Sequence, residues 1–160
     1  MVEKHLLVSR IEKGTVIDHI PAGRALAVLK LLGITGREGY RVALVMNVES
    51  GRLGKKDIVK IEGVYVDEEH AKKIALVAPE ATLNRIENYV VVSKKKLEPP
   101  EELEGTLTCT NPTCITRKPR EPVTPRFYRV RGKKLRYQCI YCSTIISEEE
   151  IVRQLAGEHV

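Results

Sequence analysis

The sequence predicts an α+β chain in two parts, and three observations carry that reading. Residues 5–94 alternate β-branched runs with two stretches of helical periodicity, in the order strand, helix, strand, strand, helix, strand. All four cysteines, Cys109, Cys114, Cys139 and Cys142, fall after them as C-x4-C and C-x2-C pairs separated by a long basic insert. Between the two lies L-E-P-P-E-E-L-E-G, residues 97–105, whose Pro99-Pro100 pair and acidic cluster predict a linker or hinge. At 160 residues the chain suits one average domain or two small ones, and the prolines divide it into parts spanning 1–98 and 99–160.

The first strand is expected within residues 5–20, which are rich in Val, Ile and Leu, bent or interrupted at Gly14. A helix should follow, with Pro21 in its first turn, Ala22, Ala25, Leu26, Leu29 and Leu32 at helical spacing, and Gly33 as its stop. R-V-A-L-V-M-N-V (41–48) and D-I-V-K-I-E (57–62) read as a hairpin turning between Gly51 and Gly54. Asp67 is placed to cap a second helix, with Glu68 and Glu69 in its first turn and Lys72 and Lys73 later. Ala71, Ile74, Ala75 and Ala78 share one face of that helix, and Pro79 ends it. Residues 81–94 close this part with more strand. The order βαββαβ is ferredoxin-like, with two helices on one face of a mainly antiparallel sheet. Its core must be aliphatic, because the chain has no Trp and its one Phe, Phe127, lies in the other part.

The cysteine spacing is that of a structural zinc site. Two knuckles bring four thiolates to one tetrahedral ion and leave no open position for a substrate water. Two disulfides, or four unpaired thiols, are the other readings, and iron also suits four thiolates. The chain opens MVEKHLLVSR, without the charged and apolar regions of a secretory signal, and no run approaches the roughly 20 apolar residues of a membrane span. A reducing, cytoplasmic compartment is therefore expected, where paired cysteines usually mean metal. One Zn2+ is expected to fold residues 99–160 as a small all-β zinc ribbon.

No catalytic constellation is visible: there is no GxSxG, P-loop or HExxH, and no cysteine outside the metal set. The chain is not expected to be an enzyme. Gly33, Gly36 and Gly39 follow a helix, which makes them a loop and not a dinucleotide fingerprint. Asp18 and His19, adjacent on a strand, are expected to point to opposite faces, which argues against an acid/base dyad. Polar residues nevertheless punctuate otherwise apolar strands: Asp18, His19, Lys60, Asn84 and Lys94. Singly, each fits an exposed strand position. Together they offer a carboxylate for ribose hydroxyls, with an amide, an imidazole and two ammonium groups for phosphates.

The formal net charge of +6, with 30% charged residues, is compatible with nucleic acid, nucleotides or an acidic protein partner. The insert between the cysteine pairs interleaves cations with Phe127, Tyr128 and Tyr137. A nucleic-acid-binding zinc ribbon would show that pattern, and so would a solvated hairpin whose aromatics form the core.

G-T-V-I-D-H-I-P-A (14–22), S-G-x-x-G-K-K-D-I-V-K-I-E (50–62), A-P-E-A-T-L-N-R-I-E-N-Y (78–89) and the cysteine knuckles resemble the regulatory chains of aspartate carbamoyltransferase, in order and over almost the whole chain. The resemblance implies a non-catalytic subunit of the enzyme that commits carbamoyl phosphate and aspartate to pyrimidine biosynthesis. It implies an N-terminal allosteric domain binding CTP, UTP or ATP, and a C-terminal zinc domain docking on the catalytic chain. It also implies regulatory-chain homodimers bridging two catalytic trimers in a dodecamer of six catalytic and six regulatory chains, with neither nucleic acid nor membrane as partner. Carried over by position, Ile11 and Val16 line the base pocket, Asp18 and Lys60 reach the ribose, and His19, Asn84 and Lys94 face the phosphates. Tyr89 and Val91 supply pocket wall or main-chain contacts. Ser9 and Arg10 depart from enteric relatives, which carry an acidic and a small residue there, at positions that bear on base selectivity.

Overall fold

The computed structural model describes residues 10–51, 54–120 and 122–157, and the chain divides into two compact units, Met1–Glu98 and Pro99–Val160. In the first, β1 (Gly14–Pro21), α1 (Ala25–Leu31), β2 (Val42–Ser50), β3 (Gly54–Glu62), α2 (Glu68–Val77), β4 (Thr82–Glu87) and β5 (Val90–Lys96) follow in order. The sheet runs β2-β3-β1-β4-β5 with every neighbouring pair antiparallel. This is the ferredoxin-like arrangement: β3 lies between the two strands that α1 connects, and β5 is added at one edge. The β4–β5 turn places Asn88 and Tyr89 at φ 50° and 66°, the left-handed pair that a two-residue hairpin of right-handed twist requires. The part of the expected first strand at residues 5–9 lies outside the described residues.

Alternation along the strands sorts the two faces. Ile17, Val59 and Ile61 are fully buried, as are Val28 of α1 and Ile74 of α2, and this aliphatic set is the core. The intervening Val16, Ile58 and Lys60 are only half-buried on the other face. Pro21 is not in the first helical turn: it is the last residue of β1, and α1 begins at Ala25. The reason is a cap supplied from elsewhere. Gly23 at φ 93° turns the chain, and the Asp57 carboxylate of β3 accepts from the backbone N–H groups of Gly23 and Ala25 at 2.8 and 3.0 Å. In α2 the expected local cap is present, Asp67 accepting from the His70 N–H at 2.8 Å.

The second unit contains β6 (Glu102–Glu104), one 3-10 turn (Ile115–Arg117), β7 (Arg126–Val130), β8 (Arg136–Cys139), β9 (Ile145–Ile146) and α3 (Glu148–Ala156). Its antiparallel sheet runs β6-β7-β8-β9. The expected linker over 97–105 is thereby corrected, since residues 102–104 are a strand whose Leu103 is buried between exposed Glu102 and Glu104. The prolines are held as well. Pro99 and Pro100 lend their carbonyls to the Arg129 guanidinium and the Tyr137 hydroxyl, while the Leu97 N–H donates to Ala81 O in the first unit. Burial raises the Tyr137 phenol above its usual range, so it stays a donor. Phe127 and Tyr137 are core, at 1% and 0% exposed, and only Tyr128 of the three rings in the insert is exposed. Helix α3 adds to the β framework, its N-terminus capped by Ser147, whose Oγ accepts from the Glu150 N–H. Among the described residues, no helix is long and apolar enough to cross a membrane.

Candidate ligand pocket and metal centre

Strand register assembles the pocket. Val16 lies opposite Lys60 on one side and Asn84 on the other, and Asn84 lies opposite Lys94. Residues directly opposite on neighbouring strands share a face. Lys60, Val16, Asn84 and Lys94 therefore form one row across β3, β1, β4 and β5, about 14 Å long at roughly 4.8 Å per strand. Beside that row, Asp18 pairs with Thr82.

The row floors a cavity of about 580 Å3 lined by all nine residues that sequence reading named: Ile11, Val16, Asp18, His19, Lys60, Asn84, Tyr89, Val91 and Lys94. Its volume is within the range of small-molecule and cofactor sites. Arg10, Ile58, Thr82, Ile86 and Val90 complete the lining. Period-2 alternation could have found three of these, since Thr82 and Ile86 flank Asn84 and Ile58 flanks Lys60 on the same face. Ser9 lies outside the described residues.

The expected opposition of Asp18 and His19 fails for a specific reason. The β1–β3 register slips between Ile17 and Ile20, and His19 takes φ 59°, so a β-bulge turns both side chains into the same cavity. The Asp18 carboxylate accepts from the His19 backbone N–H at 2.6 Å and from Lys56 Nζ at 2.9 Å. Burial pushes this carboxyl up, but the hydrogen bonds from Lys56 and His19 and their charges outweigh it, and the group is held below the usual carboxylate range. His19 Nδ1 lies 3.2 Å from the Thr82 hydroxyl, and the Asn84 amide donates to Val16 O at 3.1 Å.

Burial lowers the Lys60 ammonium, and the Arg10 charge lowers it further, against an upward pull from Asp18. Lys60 and Arg10 are thus cations near each other in a half-buried cavity, and Asp18, the one carboxylate among the described lining residues, also holds Lys56. Among the described lining residues Arg10, Lys60 and Lys94 are cationic and Asp18 is anionic, a balance that suits an anionic ligand. The one hydroxyl beside an imidazole among the described lining residues is that of Thr82, 3.2 Å from His19 Nδ1, whereas a triad also requires a third side chain to orient the ring.

In the second unit the four cysteine Sγ atoms lie within 4.8 Å of one another. The Cys109–Cys142 pair is 3.5 Å apart and the Cys114–Cys139 pair 3.7 Å. Thiolates at about 2.3 Å from a tetrahedral ion stand about 3.8 Å from each other, whereas a disulfide needs about 2.05 Å, so the set fits a metal and neither disulfide. The first knuckle closes by Cys114 N–H to Asn111 O and the second by Ser143 N–H to Cys139 O. Burial pushes the Cys109 thiol up to about 12 and raises Cys139 too, so holding them as thiolates at neutral pH takes a cation. The Thr116 hydroxyl donates to Cys114 Sγ at 3.2 Å, and the Thr144 hydroxyl is 3.2 Å from Cys142 Sγ, an outer shell that orients the sulfurs.

Comparison with known proteins bears on both sites. Residues 6–98 match the family described as aspartate carbamoyltransferase regulatory chain, allosteric domain, and residues 101–152 match the metal binding domain of the same chain. An aspartate carbamoyltransferase regulatory chain of Hyperthermus butylicus is 62% identical over 151 residues, covering 94% of each chain. Those of Thermofilum pendens and Metallosphaera sedula are 54% and 57% identical, covering 99% of each chain in the first case, and 95% of this chain and 96% of the relative in the second. With both units matched in order and relatives similar from end to end, the chain belongs to the family of aspartate carbamoyltransferase regulatory chains.

Proposed function

We propose that the first unit binds CTP, UTP or ATP in the β-sheet cavity, and that the second carries one Zn2+ and docks on the catalytic chain. As a regulatory chain the protein is a non-catalytic subunit whose partner is a catalytic chain, and its second unit is a metal-binding domain. The observation that best supports the nucleotide reading is the row from Lys60 to Lys94 with Asp18 and His19 beside it. Asp18 and Lys60 are assigned to the ribose, His19, Asn84 and Lys94 to the phosphates, and Ile11, Val16, Tyr89 and Val91 to the base and the pocket wall.

In the second unit Cys109, Cys114, Cys139 and Cys142 hold the ion, which supplies cross-linking and no chemistry, all four positions being thiolate. Ile115, Ile140 and Tyr141 are exposed beside those cysteines, an apolar group that suits a protein surface.

A homodimer is supported by the outer edge of the sheet. Strand β2 presents V-A-L-V-M half-buried on both faces with no outer neighbour among the described residues, and Leu26 and Tyr40 stand exposed near it. The other edge, β5, ends in Lys94, Lys95 and Lys96, the charge pattern that discourages strand pairing. Such dimers, bridging two catalytic trimers, give a dodecamer of six catalytic and six regulatory chains in the cytoplasm. A nucleotide acts there by linkage, shifting the balance of quaternary states by its differential affinity, about 1–3 kcal/mol of coupling. Titrating the enzyme reconstituted from catalytic and regulatory chains with ATP, CTP and UTP tests the reading. Displacement of the aspartate saturation curve by at least one of them, absent in the catalytic chain alone, is expected. No displacement by any of the three contradicts it.

A further inference from the structure

The Asp57 carboxylate is fully buried and is not part of the cavity. Its Oδ2 accepts from the N–H groups of Gly23 and Ala25, and its Oδ1 accepts from the Asn47 N–H at 2.9 Å. Asn47 lies in a second β-bulge. The β2–β3 register slips between Val45 and Val48, opposite residues 56–58 of β3, and the β1–β3 register slips opposite residues 57–59. The two bulges therefore face each other across one short stretch of β3. Each contains a non-glycine residue in the left-handed region, His19 at φ 59° and Asn47 at φ 61°, and in each the N–H of that residue is accepted by a carboxylate. Consecutive β3 residues reach to the two sides: Lys56 Nζ bonds Asp18 in the cavity-side bulge, and Asp57 bonds Asn47 in the edge-strand bulge.

We propose that Asp57 is a positioning residue for the nucleotide cavity, tying the bulge that presents Asp18 and His19 to the bulge of the edge strand β2 and to the start of α1. The proposal rests on the nucleotide reading above. A bulge is a discrete change of register, so displacing one pulls on the β3 stretch that the other shares. A ligand that fixes Asp18 and His19 thus fixes Lys56 and Asp57, and through them the Asn47 amide and the edge strand. Binding free energies are reciprocal, so disturbing Asn47 must change affinity in the cavity by the factor with which the ligand steadies Asn47.

Asn47 is exposed and is not among the residues that line the cavity, which makes it the clean place to test this. Asn47→Val puts a β-branched residue where φ is positive and strains the bulge, whereas Asn47→Gly tolerates that φ. CTP is titrated calorimetrically into the full-length zinc-loaded chain and both variants, with circular dichroism confirming that each is folded. Amide hydrogen exchange is followed with and without CTP. Asn47→Val is expected to bind CTP roughly fivefold or more weakly, and Asn47→Gly like the unmodified chain. CTP is expected to slow exchange at the amide of residue 47 in the unmodified chain but not in Asp57→Asn. Unchanged affinity in folded Asn47→Val, or no CTP-dependent change at amide 47 of the unmodified chain, overturns the role given to Asp57 and leaves the nucleotide reading standing. An unmodified chain that does not bind CTP overturns the nucleotide reading and this role together.

Discussion

The two units gather their polar groups by opposite means. In the second, four cysteines from two short knuckles meet within 4.8 Å, and the spacing C-x4-C and C-x2-C is almost the whole instruction. In the first, the lining runs from Arg10 to Lys94 and is brought together only by the pairing of β3, β1, β4 and β5. A site encoded by local spacing carries its own cross-link, and losing one ligand dissolves the unit. A site encoded by register is borne by a core that folds without it, so its residues can be changed one at a time with the fold intact.

The largest effect expected from this contrast is that of Cys114→Ala. Structural zinc supplies about 10–16 kcal/mol of apparent binding free energy in small domains, most of their folding free energy. The variant should lose its metal, unfold the second unit by near-UV circular dichroism and fail to join the catalytic chain in gel filtration, while the first unit still binds CTP. Assembly at normal affinity without metal would break the comparison.

Asp18→Ala comes next. It removes a carboxylate assigned to the ribose, at roughly ten- to hundredfold in affinity. Cytidine and CTP should lose alike in parallel calorimetric titrations, because both carry that ribose. A loss confined to CTP would move Asp18 to the phosphate end.

Tyr137→Phe deletes the buried hydroxyl that donates to Pro100 O. It should cost about 1–3 kcal/mol, the penalty of leaving a buried carbonyl unpaired, and lower the melting temperature of the second unit by several degrees. CTP affinity of the isolated chain should not move, since the clamp lies wholly in the second unit. A change in that affinity would show the two units to be less independent than their construction implies.

The smallest effect is in protons. Lys60 is held below its ordinary value by burial and by Arg10. Between that lowered value and the unfolded 10.5 the unfolded chain binds more protons, so the contribution of Lys60 to stability rises with pH there, being least when the buried ammonium is charged. A bound polyanion favours the charged form and raises the value again. CTP binding at alkaline pH should therefore take up a fraction of a proton, and affinity should fall as pH rises through that window. Calorimetry in two buffers of different ionisation enthalpy checks this, and Lys60→Gln should abolish the uptake.

The same contrast explains what the sequence made legible. The metal set, the strand and helix order and the polar group on the sheet could be read because each rests on local spacing or alternation. The strand at Glu102–Glu104 could not, because the neighbouring Pro99-Pro100 pair outweighed a three-residue alternation around Leu103. The start of α1 is not legible locally because its cap, Asp57, is more than thirty residues away in sequence. Alternation alone puts Asp18 and His19 on opposite faces, because a bulge is a tertiary fact: it needs the partner strand to define the slip. Helix α3 carries a local signal, Ser147 three residues ahead of Glu150, whose N–H donates to the serine hydroxyl.

The central claim is that the register-built row holds a nucleotide with its phosphates at the Lys94 end. Titration of CTP and cytidine against the unmodified chain and Lys94→Ala tests it most directly, because a lysine acts as a point charge for phosphate and Lys94 stands at the β5 end of the row. The expected result is a roughly ten- to hundredfold loss for CTP with cytidine unchanged. Equal losses for the two ligands, or none for either, would contradict it.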